Sequence, residues 1–142
     1  MRNTLFKLSQ LSALGALLLT AGCQTTTSIP TPAQDETPPP SNPGFAGEMN
    51  KFNAQFPNDQ ASRYEEVSLD FNNARKLDQQ GNCHDLSKWP VTVILVLDAD
   101  GKVSSSTADV SSKKAQCFQN LYASAQFPSP PFAPYRKPIK LR

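Results

Sequence analysis

One histidine, His84, and one tryptophan, Trp89, stand in a chain of 142 residues, and aromatic residues make up only 8%. A lone histidine excludes catalytic designs built on a histidine pair or triad. No glycine-rich phosphate loop is present either, and the chain holds only 6 glycines. An excess of one charge is also missing. Fourteen lysines and arginines face 12 carboxylates, a formal net charge of +2. A nucleic-acid binder of this size would show a plain basic excess, so that partner class is set aside. Long apolar runs are scarce: hydrophobic residues are 38% of the chain and gather in two islands, residues 5–22 and 89–97. The length fits one domain.

The first island has a basic start at Arg2 and Lys7, then Leu8, Leu11, Leu14, Leu17, Leu18 and Leu19 among small residues. It falls short of the roughly 20 apolar residues that cross a bilayer. A positive start, a short apolar core and small residues at its end describe a secretory signal peptide over residues 1–22. The run Leu18-Leu19-Thr20-Ala21-Gly22-Cys23 resembles the lipobox of bacterial lipoproteins. That resemblance implies acylation of Cys23 and cleavage before it; an ordinary signal peptide with a chance cysteine is the alternative. Several acyl chains anchor stably where one is marginal. Gln24 is not the aspartate that the resemblance associates with inner-membrane retention. The expected location is the outer membrane, with the chain held by Cys23 and facing the periplasm. Loss of Arg2 and Lys7 leaves 12 basic and 12 acidic residues, a neutral mature chain.

Residues 23–47 read as a tether. Six of the fourteen residues from 30 to 43 are proline, preceded by Thr25, Thr26, Thr27 and Ser28. Proline fixes φ and removes donors, so this stretch is extended, at about 3 Å per residue. A proline-rich ligand for an aromatic groove is the other reading.

Residues 48–142 form the expected folded domain. Phe45, Met49, Phe52 and Phe56 recur at helical spacing until Pro57. Asn58 or Asp59 caps a second helix, whose stripe is Tyr64, Val67, Phe71 and Ala74, with Leu77 close behind and Gly81 as its stop. Trp89 opens a strand, WPVTVILVL, that is apolar on both faces and so needs cover on both. Asp98-Ala99-Asp100-Gly101 turns the chain into a weaker return strand through Val110. Residues 112–126 read as a helix carrying Cys117, Phe118, Leu121, Tyr122 and Ala125. Tyr135 to Leu141 is an edge strand, because Pro138 suits only an edge. The fold class is α+β, with a small antiparallel sheet of about three strands under two or three helices.

The order of a hydrophobic strand, Asp100-Gly101-Lys102-Val103, a helix, Phe127-Pro128-Ser129-Pro130-Pro131 and a last short strand resembles the C-terminal domain of TolA and TonB. It covers residues 89–142. The cysteines agree: with Cys23 acylated, Cys83 and Cys117 remain, an even pair in an oxidising compartment. Some TolA domains tie first strand to last helix in a similar way, which implies a Cys83–Cys117 disulfide. A loop of this length is worth roughly 3.5–4 kcal/mol on the chain-entropy model. Two free buried thiols are the alternative. TolA and TonB are held by an inner-membrane helix through which a motor acts. A lipid anchor in its place implies a domain that has the fold without the energy coupling.

An open sheet edge is a template onto which a partner adds a strand, and the resemblance implies binding of that kind. The expected partner-binding edge is Tyr135, Arg136, Lys137, Ile139 and Lys140, with an envelope protein or peptide as the partner. Residues 23–82 carry net −4 and residues 83–142 net +4, which fits either an acidic partner or a solvated, lysine-guarded edge. Catalysis is not expected. His84 and Asp85 adjoin Cys83 but lack a second histidine for zinc, and Asp98 and Asp100 serve the turn. No metal, cofactor or small-molecule substrate is expected. The main alternative to an edge-binding module is a pilotin-like assembly accessory of a secretion or pilus complex. Residues 45–77 separate the two: packed on the sheet they leave the edge free, and exposed they become the interface.

Overall fold

The computed structural model describes residues 37–142. The expected signal peptide, the acylated Cys23 and the tether up to residue 36 lie outside the described residues. The elements follow as α1 (Phe45–Asn53), α2 (Asp59–Arg75), a 3-10 segment (Leu77–Leu86), β1 (Val91–Leu97), β2 (Val103–Ala108), α3 (Lys113–Ala123) and β3 (Tyr135–Leu141). The strands form one antiparallel sheet in the order β2-β1-β3. The fold is α+β as expected, with one helical element more than the two or three anticipated.

Local chemistry sets the boundaries. Asn58 caps α2, its Oδ1 accepting from the N–H of Gln60 at 2.9 Å and of Ala61 at 3.4 Å. Lys76, at φ +50°, ends that helix in the left-handed region. The 3-10 segment is kinked from Gln80 to Asn82, where Gly81 and Asn82 both hold positive φ. In the hairpin, Asp98 Oδ1 accepts from the N–H of Asp100 and of Lys102, each at 2.9 Å. Gly101, at φ +83°, lies so close to the chain that a Cβ would meet the Phe127 carbonyl oxygen at 2.1 Å. Ser112 caps α3 through the N–H of Ala115. That helix ends at Ala123, short of the expected Gln126, because Gln126 instead pairs with Lys102 and the Phe127 N–H donates to the Gly101 carbonyl at 2.9 Å.

β1 is the central strand of the sheet. Its odd-numbered residues Val91, Val93, Leu95 and Leu97 are buried with Phe118 and Tyr122 of α3, Ala61 and Tyr64 of α2, and Tyr135 and Leu141 of β3. Each such large side chain contributes about 1.5–3 kcal/mol on burial. Ile94 points to the opposite face and is also fully buried. α1 lies against all three strands, and Arg136, on Ile94's side of the sheet, pairs with its Glu48, so α1 is the cover on that face. Both sides of β1 are thus covered. The disulfide joins Cys83 to Cys117 with Cα atoms 5.6 Å apart, tying the 3-10 segment to α3.

The expected stripe on α2 is corrected. Tyr64 is buried and Phe71 partly so, but Val67 is 51% exposed and Ala74 is exposed too. The buried face is Ala61, Tyr64, Ser68 and Asn72. Two polar residues sit there because both are satisfied: Ser68 Oγ donates to the Glu65 carbonyl, and Asn72 Oδ1 accepts from the Tyr122 hydroxyl at 2.8 Å. Apolar periodicity alone put the face one position away.

Candidate functional site

With both faces of β1 covered, the sheet presents its backbone only at its two edges. In an antiparallel strand, alternate residues direct N–H and C=O to opposite sides. The Asp109 N–H donates to the Thr92 carbonyl at 2.9 Å, so even residues of β1 pair with β2 and odd ones with β3. Arg136, Pro138 and Lys140 therefore turn their main chain outward on β3, and Ser106 and Ala108 do so on β2.

The expected partner-binding residues fall on β3 in two groups. Tyr135, Lys137 and Ile139 point inward under α2 and are buried. The Tyr135 hydroxyl lies 3.0 Å from the Ala61 carbonyl and 2.9 Å from Glu65 Oε1, and burial, then the Glu65 charge, drives its pKa far upward. Lys137 Nζ sits 2.7 Å from Glu65 Oε2. Arg136 and Lys140 point to the other face. Arg136 Nε pairs with Glu48 at 3.2 Å, and Glu48 also holds Lys51 at 2.6 Å. The hydrogen bond from Lys51, aided by Arg136, holds the Glu48 carboxyl below its usual range although partial burial pushes the other way. Lys140 alone of the five is exposed.

The outer backbone of β3 is partly taken. Gln55 accepts from the Arg136 N–H at 2.6 Å and donates to the Arg136 carbonyl at 3.1 Å, as a neighbouring strand would. Pro138 has no N–H to offer. The Arg142 carbonyl, just beyond the strand, lies 2.7 Å from His84 Nδ1. Between these clamps, Pro138 and Lys140 face a groove of about 220 Å³ against Leu69, Asn73 and Asp78.

The outer edge of β2 is bounded differently. At one end residues 40–42 run beside it: Ser41 bridges Val110, with Asn42 N–H to the Asp109 carbonyl and Ser111 N–H to the Pro40 carbonyl, both 2.8 Å. At the other end Gln126 bridges Lys102. Between them, among the described residues, Gln119 reaches the edge, its Nε2 donating to the Ser106 carbonyl at 3.0 Å. A groove of about 400 Å³ lies alongside, walled by Asn42, Ala108, Val110, Ala115 and Gln116, with no charged side chain in its lining.

The residues singled out as able to carry chemistry have structural tasks. Cys83 is in the disulfide, Asp98 holds the turn, and His84 sits against Phe118 with its Nε2 3.7 Å from Asp78. Among the described residues no group of three or more His, Cys, Asp or Glu is placed to hold a metal. No helix among them is long and apolar enough to cross a membrane. Sequence reasoning missed Gln55, Gln119 and the pairing of residues 40–42. A glutamine beside a helix end carries no pattern, and a three-residue bridge next to prolines leaves none either. The chain matches no family model, no curated protein and no solved structure.

Proposed function

We propose that this chain is an outer-membrane-anchored periplasmic lipoprotein, held by Cys23, whose TolA/TonB C-terminal-like domain is a non-catalytic interaction module of the cell envelope. It binds an envelope protein or peptide by adding a partner strand to its sheet edge. The observation that carries this is the three-stranded sheet whose central strand is covered on both faces and whose outer strands each have, among the described residues, one strand neighbour. Main-chain hydrogen bonds at such an edge give affinity, and pockets for alternate side chains give selectivity. The hairpin Asp98–Gly101 and the Phe127-Pro128 turn, which carry the resemblance, hold each other in place at the far end of the sheet.

A second reading, the pilotin-like accessory, is favoured by one observation: Val67 and Leu69 are about half exposed on α2. The test is site-specific photo-crosslinking in intact envelopes, with the probe at Ser105, at Lys140 or at Val67, in cells fed an alkyne-tagged fatty acid. Adducts from Ser105 or Lys140 and label that disappears in Cys23→Ala are expected. Adducts from Val67 alone move the interface to α2 and overturn the edge reading, and persistent absence of label overturns the anchor.

A further inference from the structure

The two edges differ in how they are guarded, and the difference selects one of them. Resting on the sheet-edge reading above, we propose that the partner strand adds to β2 rather than β3, and that it is a short, uncharged extended segment of another protein. On β3 four devices oppose an added strand. The Gln55 amide fills both main-chain groups of Arg136, Pro138 lacks a donor, Lys140 places an exposed charge on the edge, and His84 holds the Arg142 carbonyl. Prolines, lysines and covering groups are how natural edges avoid unwanted pairing. β2 reads Val-Ser-Ser-Ser-Thr-Ala, with no proline and no charge, and among the described residues its outer main chain between the two bridges is met by the replaceable Gln119 amide.

The window on β2 fixes the ligand's size. Residues 40–42 and Gln126 occupy the same outer side at its two ends, which leaves residues 104–108 for pairing. At about 3.4 Å per residue that admits about five residues of a strand. A second copy of this chain does not fit. Its own β2 continues at both ends into the same flanking bridges, which would stand where the first copy's bridges already are. A linear segment whose ends turn away meets no such obstacle. The groove chemistry then fixes the side chains. Those facing α3 meet Ala115, Gln116 and Ala108 with no charged partner, so a lysine or carboxylate there would lose its hydration without compensation. Small apolar residues, serine, threonine or amides satisfy it.

The test pans a phage library of random seven-residue peptides against the full-length protein, purified in detergent. Selected peptides should be uncharged at alternate positions and should protect the Ser106 and Ala108 amides in hydrogen exchange. Ser106→Pro removes the outward N–H, and Gln116→Glu puts a charge in the groove at an exposed position that leaves the fold alone. Each should weaken the selected peptides about five- to tenfold or more, while Gln119→Ala should tighten them, by freeing the Ser106 carbonyl. Peptides insensitive to Gln116→Glu but lost on Lys140→Pro overturn the choice of β2 and leave the sheet-edge reading standing. Peptides lost only on Leu69→Glu overturn both. Failure to enrich any peptide over a blank surface, or a concentration-dependent dimer abolished by Gln116→Glu, overturns the assigned ligand.

Discussion

On one face of the sheet α2 and α3 bury Phe118, Tyr122 and Ala61 against Val93, Leu95 and Leu97. On the other, α1 lays down Phe45, Met49 and Phe52 without fully burying any of them. The first face adds a disulfide and three tyrosine hydroxyls bonded to neighbouring elements. The second relies on side-chain clamps, Glu48 on Arg136 and Gln55 on the Arg136 main chain. Stability is therefore concentrated on one side of β1, and the other side is a cover that opens at much lower cost.

The largest test of that contrast is Phe118→Ala against Phe52→Ala. The first should cost about 3–5 kcal/mol by leaving a cavity. The second, removing a half-buried ring, should cost about 1 kcal/mol. Denaturant midpoints measure both, and equal losses would erase the distinction between the faces. Next, Cys83→Ser with Cys117→Ser should lower stability by about 3–4 kcal/mol, read as a fall in Tm in non-reducing buffer. An unchanged Tm would remove the staple from the account. Third, Glu65→Ala leaves the Lys137 ammonium buried without its carboxylate, at a cost of about 2–3 kcal/mol. Lys137→Met added to it should recover most of the loss, and no recovery would mean that Glu65 acts by packing alone.

The smallest effect separates the faces by pH. Glu48 has a lowered pKa in the fold, so its contribution is present above the ordinary carboxylate range and is lost as pH falls through the lowered value. Tyr64, pushed up to about 12 by burial, behaves oppositely. Its contribution holds below the ordinary value of 10.0 and is lost as pH rises. Tyr122 and Tyr135 shift in the same direction from burial. Acid should first raise hydrogen exchange in α1 and at the Arg136 amide. Alkali should act on the α2–α3 side, with no phenolate absorbance at pH 10.5 until the chain unfolds. Early phenolate absorbance in the folded protein would place the tyrosines in water.

Sequence reading succeeded where a single local cause dominates. β1 announces itself by nine residues, of which seven are apolar, and Pro138 identifies an edge by the donor it lacks. The hairpin follows from Asp98 and Gly101, and the Cys83–Cys117 disulfide from the pair left once Cys23 is set aside as the expected acylation site. Reading failed where a polar residue is buried because a distant group satisfies it. Nothing near Asn72 in the chain reports that the Tyr122 hydroxyl, 50 residues on, will meet it. The same holds for Lys137 and Glu65, 72 residues apart. The edge strand itself was legible, but not that alternation turns Tyr135, Lys137 and Ile139 inward, nor that Gln55 lies on its outer backbone. Those facts belong to tertiary pairing, which no local pattern encodes.

The pairing of residues 40–42 also decides where the two ends of the described domain lie. Asn42 bonds to Asp109, Asp109 to Thr92, and Thr92 stands opposite Lys140. The start and the finish of the domain thus share one row across the sheet, three strand spacings or about 15 Å apart. A loop of about five residues would close that gap, so the domain should tolerate circular permutation, with new termini opened at the Asp98–Gly101 turn. A reporter fused after Arg142 would emerge on the side where residues 40–42 enter the sheet, whereas one inserted at that turn would stand at the opposite end of the sheet.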